Sequence, residues 1–209
     1  MSFNGFTLND FDAFQIEGLE SRMEAIQERI QPKFIEISKG VQSELEILTG
    51  NEMHLHIAKH ARRTKNPPVD TWMAFSDSKR GYKMLPHFQI GLFDDHVFIW
   101  LAYIYELPGK QEMATMFLDH LNEIHKRIPS SYMISTDHTK KGASQIVKDV
   151  DLEKVLTRFR DVKKGEFLIG RHISSDDPIL KDGDKFIAAV KETFETVMPI
   201  YKLSLEESK

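Results

Sequence analysis

Four strand-like segments follow one another between Met53 and Tyr105, and their spacing limits this chain to a small set of folds. In the first, Met53, Leu55 and Ile57 alternate with His54, His56 and Ala58. The second runs from Thr71 to Ser76. In the third, Phe88, Ile90 and Leu92 alternate with His87, Gln89 and Gly91. A period of two sends successive side chains to opposite faces of a strand, so each of these has an apolar and a more polar face. The fourth, Val97 to Tyr105, is apolar on both faces, the pattern of a central strand. Asp94-Asp95 between the last two has the length of a tight hairpin turn, although it lacks the favoured glycine. Consecutive strands with short connections imply an antiparallel meander.

Helical periods flank this meander. Asp10 to Phe14 suits a short helical turn. Leu19, Met23, Ile26 and Ile30, then Ile37, Val41, Leu45 and Leu48, recur in steps of three and four and share one face. Pro32 lies inside this stripe, so a kink or restart is expected there, and Gly50-Asn51 ends it. The stripe suits packing on the chain's own sheet better than a dimer seam. Met113, Phe117, Leu121, Ile124 and Ile128 mark a helix stopped by Pro129. Leu152 to Phe159 marks another, and Phe186, Val190, Phe194 and Val197 a last one, ending near Pro199. Strands are expected at Tyr132 to Ser135 and Glu166 to Ile173. Asp177-Pro178 reads as a capped helical turn, and Asp182 or Asp184 as the cap of the last helix. The expected fold class is α+β: an antiparallel, at most mixed, sheet of five to seven strands with helices packed mainly on one face. No repeat, linker or low-complexity tract divides the 209 residues, which predicts one domain over residues 1–209.

Charge is distributed unevenly. Lys59, Arg62, Arg63, Lys65, Lys79, Arg80 and Lys83 face only Asp70 and Asp77 between His54 and Gly91, in a chain of net charge −4. Like charges repel, and a bound anion is one reason to cluster them. The pI near 6.1 argues against general nucleic-acid binding, which needs a strongly basic domain. The absence of cysteine excludes disulfides, thiolate metal sites and cysteine nucleophiles. MSFNGFTLNDFDAF has neither a basic n-region nor an apolar h-region, so no signal peptide is expected. The apolar run at Val97 to Tyr105 falls well short of the roughly 20 residues of a membrane span. Together these features predict a cytoplasmic protein without membrane association.

Two long words, AKHARRTKNPPVDTWMAF at Ala58 to Phe75 and KRGYKMLPHFQIGL at Lys79 to Leu92, resemble the YktB-like family of uncharacterised bacterial proteins. The resemblance extends to the FNGFTLNDFDAF start, to VKKGEFLIGRHI at Val162 to Ile173 and to the overall length. It implies a single-domain α+β protein and supplies no catalytic residue.

Within the basic block, Arg62 and Arg63 follow a strand, and Lys79-Arg80-Gly81 precedes the next strand pair. Guanidinium forks suit phosphate or carboxylate, and lysine adds a point charge. If the two loops meet at one end of the sheet, His60, Arg62, Arg63, Lys79, Arg80, His87 and Arg171 form a pocket for a small anionic ligand. Gly81 would let the ligand approach the backbone closely. The same charges also suit a solvated sheet rim. An enzyme reading uses His60 or His87 for acid–base chemistry, since imidazole titrates near neutrality. A third reading docks the basic face on an acidic macromolecule or nucleic acid, with Trp72, Phe75, Tyr82 and Phe88 interleaved among the charges.

Other chemistry has less support. His54 and His56 share a strand face with the geometry of a divalent chelate, to which His60 or His87 could add a third ligand, but histidines on the polar face of a half-buried sheet are the better reading, so no metal is expected. His172-Ile-Ser174 resembles half of a two-histidine phosphoesterase, and no matching second half exists. G-x-G-x-x-G, Walker-type, H-E-x-x-H and G-x-S-x-G motifs are absent. No cofactor is implied, and the oligomeric state is not indicated.

Overall fold

A computed structural model describes residues 3–206. The N-terminal part holds α1 (Leu8–Phe11), α2 (Leu19–Ala25), a wide π-helical turn at Ile26–Ile30, and α3 (Gln31–Thr49). Pro32 is the second residue of α3, directly after the π-helical turn, so the expected kink or restart falls where the winding changes. Gly50 closes α3 in the left-handed region, at φ 76°.

The four expected strands follow as β1 (His54–Ile57), β2 (Thr71–Ser76), β3 (His87–Leu92) and β4 (His96–Tyr103). Next come α4 (Lys110–Asp119), α5 (Leu121–Arg127), β5 (Met133–Ser135), β6 (Ser144–Ile146), α6 (Leu152–Asp161), β7 (Phe167–Ser174) and α7 (Gly183–Leu205). The seven strands form one sheet in the order β1-β2-β3-β4-β7-β5-β6, and every neighbouring pair is antiparallel. The fold is α+β, with an open antiparallel sheet.

Three elements depart from the sequence expectation. The helix over Met113 to Ile128 is two helices, because the backbone at His120 leaves the helical region at φ −102°, ψ 18°. Proline at 199 does not end α7, which continues to Leu205. Ile200 and Tyr201 are buried beyond it, and the Tyr103 hydroxyl donates to the Ile200 carbonyl at 3.2 Å, so packing outweighs the lost helical bond. Strand β6 has only three residues, too few to show a period. The expected caps hold: Asp177 accepts from Ile179 N–H at 2.9 Å, and Asp182 from Lys185 N–H at 3.1 Å.

Strand parity divides the apolar residues into two layers. Met73, Phe75, Phe88, Ile90, Ile99, Leu101, Tyr103, Phe167 and Ile169 point to one face and pack against the helices. Phe88 meets Phe194 and Tyr201 of α7, and Tyr103 meets Phe117 of α4. The opposite face carries a smaller cluster of Trp72, Phe98, Trp100, Ala102, Leu168 and Met133, with Phe93 and Ile104 from the ends of β3 and β4 and, among the described residues, none from a helix. Gly91 forms part of its floor. A Cβ there would meet the Phe98 ring at 2.3 Å, so the ring lies directly over the β3 backbone. This second face, covered by loops, holds the candidate site.

Candidate functional site

The loop over 77–86 folds back across the second face near β1. His56 Nε2 bonds the Ser78 carbonyl at 2.8 Å, and Trp72 Nε1–H donates to the Tyr82 hydroxyl at 2.7 Å. The Tyr82 ring also contacts the rings of His56 and His87, with centroids 5.3 and 4.8 Å away. Between this loop and β1 lies a groove of about 840 Å³. Its walls include Leu55, His56 and Ile57 on one side and Tyr82, Met84 and Leu85 on the other. Lys59, Arg80 and Lys83 line it as well, and Glu106 is its one acidic wall residue among those described.

The electrostatics of this region are one-sided. Among the described residues, none of the side chains of Lys59, Arg62, Lys65, Lys79, Arg80 and Lys83 makes an ion pair or hydrogen bond. Some cations elsewhere are paired, Lys33 with Asp10 and Lys141 with both Asp94 and Asp95, all at 2.6 Å. Others among the described residues, such as Lys148, Lys163 and Lys164, are not, so what sets the basic block apart is the number of such charges close together in sequence. Arg63 reaches only the carbonyls of Asn66 and Pro67, at 3.4 and 3.5 Å, and its charge helps to depress the Arg22 pKa.

The structure separates the seven residues singled out in the sequence. Arg80 lines the groove, and Lys79 is its neighbour in the same loop. Arg62 and Arg63 occupy the loop after β1, outside the groove lining. His60 holds a left-handed backbone, φ 49°, with Nε2 3.2 Å from Thr71 Oγ1 and its ring edge-on to Trp72. Burial, reinforced by Arg63, lowers its pKa to about 4. His87 is fully buried; Nδ1–H donates to the Leu85 carbonyl at 2.7 Å, and Nε2 accepts from Gln89 at 2.8 Å. Burial lowers its pKa to about 4 as well. Arg171 pairs in register with core-facing Ile99 and reaches Glu192 of α7 at 3.4 Å, so it lies on the helical side of the sheet. Lys59 and Lys83 join Arg80 in the groove; both belong to the basic block, but loops have no period from which to read direction.

A second cluster occupies the middle of the same face. Asp70 is 6% exposed and opens into a cavity of about 10 Å³ beside Trp72, Gln89, Trp100 and His138. Burial raises its pKa to about 6 against the opposing charges of Arg63 and His138. Asp137, His138 and Glu166 place potential ligand atoms within 4.8 Å of one another. The Glu166 oxygens are already occupied, accepting from Tyr105 N–H, His138 N–H and His138 Nδ1–H. His54 and His56 do not converge on one point. His54 lies 3.7 Å from Glu52, while His56 ties down the 77–86 loop. His172 stacks on His96 at 4.1 Å with both Nε2 atoms buried and unpartnered, and burial lowers the His172 pKa to about 3.

Comparison with known proteins places this arrangement in a family. Residues 6–201 match the family described as a domain of unknown function, DUF1054. A UPF0637 protein of Oceanobacillus iheyensis is 56% identical over 204 residues, covering 97% of this chain and 98% of its own length. A UPF0637 protein of Shouchella clausii is 53% identical over 98% of this chain and 97% of its own. One from Listeria monocytogenes serotype 4a is 46% identical over 99% of this chain and 100% of its own. The chain belongs to the DUF1054 (UPF0637) family, an uncharacterised family with bacterial members. No helix among the described residues is long and apolar enough to cross a membrane.

Proposed function

We propose that this protein binds a small anionic ligand, bearing phosphate or carboxylate, in the groove between β1 and the 77–86 loop. The observation that supports this is the set of unpaired cations, Lys59, Arg80 and Lys83, converging on a groove of about 840 Å³. Arg80 would supply a bidentate fork and the two lysines point charges. Ser78 and Gly81 add a hydroxyl and an unobstructed stretch of backbone to the wall. Lys79 and Arg62 raise the local potential from outside.

The acid–base alternative built on His60 or His87 needs a ring nitrogen free to exchange a proton with a ligand. Both His87 nitrogens are bonded inside the protein, and neither histidine lines the groove. Binding is therefore the better reading of this site.

A thermal-shift experiment with inorganic phosphate, pyrophosphate and citrate tests it. A ligand at 100 times its Kd stabilises a protein by about 2.7 kcal/mol. For a chain of this length each kcal/mol moves Tm by roughly 2–4 °C. A shift with at least one anion, lost in Arg80→Glu/Lys83→Glu, is expected. No shift with any of them, or a shift kept by that variant, overturns the proposal.

A further inference from the structure

The groove runs along a sheet edge. Among the described residues, strand β1 is the terminal strand of the sheet and pairs only with β2. Ala58 N–H donates to the Trp72 carbonyl at 2.9 Å, which sets the hydrogen-bonding parity of the ladder. His56↔Ala74 and His54↔Ser76 are then the bonded pairs, and Leu55 and Ile57 direct their N–H and C=O groups away from β2. The adjacent outward position, Met53, is already capped by α3: Gln42 Nε2 donates to its carbonyl at 2.8 Å, and Glu46 accepts its N–H at 3.1 Å. Among the described residues, nothing caps Leu55 or Ile57 in this way, and both line the groove. The strand itself, HLHI, carries no lysine or proline to blunt its edge.

We infer that the ligand of this groove is an extended acidic peptide segment, which pairs with the free edge of β1 as an eighth strand. Its backbone would meet Leu55 and Ile57, and its carboxylates Lys59, Arg80 and Lys83. The inference rests on the anion-binding reading above and specifies the occupant. Strand addition satisfies the outward N–H and C=O groups that a compact anion leaves partly bare. The cations select against neutral or basic strands, which are the common hazard at an open edge. Met84, 62% exposed on the facing wall, offers an adaptable apolar contact for alternate side chains.

The test titrates the full chain with a fluorescent hexapeptide of alternating glutamate and valine. Two versions N-methylated at alternate backbone positions serve as controls, one for each register, and inorganic pyrophosphate is titrated in parallel. The acidic peptide should bind, and one N-methylated version should lose about tenfold or more in affinity. Arg80→Glu/Lys83→Glu should lose as much, and Leu55 and Ile57 amides should gain hydrogen-exchange protection in the complex. Equal binding by both N-methylated peptides would reduce the interaction to charge and overturn strand addition. Pyrophosphate binding without peptide binding would leave the small-anion reading standing and remove this one. Binding of neither would remove both, and tighter binding of a single-stranded oligonucleotide than of the peptide would give the groove to nucleic acid.

Discussion

Trp72 of β2 donates its indole N–H to the hydroxyl of Tyr82, 2.7 Å away in the 77–86 loop, and this bond holds one wall of the candidate groove in place. Other bonds fix the two ends of the loop: His56 and Ser76 hold Ser78, Arg80 N–H donates to Ser78 Oγ at 3.2 Å, Leu85 N–H closes a turn on the Tyr82 carbonyl at 3.0 Å, and the Leu85 carbonyl accepts from His87 at 2.7 Å. Arg80 and Lys83 flank Tyr82 in sequence, so their position depends on that anchor.

Removing the hydroxyl should therefore affect both stability and binding. Tyr82→Phe leaves a part-buried indole donor without its partner, a loss of about 1–2 kcal/mol. Urea denaturation should show that loss. Anion affinity should fall at the same time, because the loop that carries two of the three cations is loosened. Unchanged affinity in a measurably destabilised variant would separate the loop anchor from the site.

Acid should destabilise the fold through buried imidazoles. His60 and His87 have pKa values near 4 in the folded protein and His172 near 3, all lowered from 6.5 chiefly by burial. Each is neutral in the fold and protonates more readily in the unfolded chain. The stability they contribute is complete above pH 6.5 and is lost as pH falls from 6.5 through about 4 toward 3. One pKa unit is worth about 1.4 kcal/mol, so the denaturation midpoint should drop steeply over that interval. A midpoint independent of pH between 7 and 4 would contradict this account of the three histidines.

Asp70 carries the opposite sign. Its folded pKa, about 6, lies above the ordinary 3.8, so the fold favours the protonated acid. That contribution is fully present below pH 3.8 and is lost as pH rises through 6. Asp70→Asn should raise stability at pH 8 by up to about 3 kcal/mol and bring little gain at pH 4. Equal stability of the two proteins at pH 8 would mean that the carboxylate has a partner when ionised.

Arg171 provides a control on the opposite face of the sheet. Its bond to Glu192 is exposed, and such pairs contribute roughly 0–1 kcal/mol. Arg171→Glu should leave anion binding unchanged in the thermal-shift experiment and move Tm only slightly. Loss of binding in this variant would relocate the ligand.

The sheet was legible because its strands are long enough to show their period. Phe88, Ile90 and Leu92 face the helices as their alternation requires, and β4 is buried along its whole length. Parity alone also places Arg171, which shares the phase of Phe167, Ile169 and Ile173, on the helical side. The basic block was legible as charge. Its division into groove and periphery was not, because the direction of Lys59, Arg80 and Lys83 depends on a loop held by Trp72, His56 and Tyr82 across the sheet. The burial of His87 was hidden for the same reason. It lies on the face that its alternation assigns to the more polar side chains, and the Tyr82 loop packs against it. The continuation of α7 through Pro199 rests on tertiary contacts that no local pattern contains.

Calorimetric titration of the intact chain with inorganic pyrophosphate at low ionic strength decides whether the groove is an anion site. Wild type would be compared with Lys59→Glu/Arg80→Glu/Lys83→Glu, and with a Lys185→Glu control whose cation pairs with Asp182 far along the chain. The account predicts saturable binding by wild type and the control, weakening as salt is raised, and none by the triple variant with its fold intact by circular dichroism. Equal binding by wild type and the triple variant would contradict it, as would the failure of wild type to bind any of pyrophosphate, phosphate, citrate and the acidic peptide.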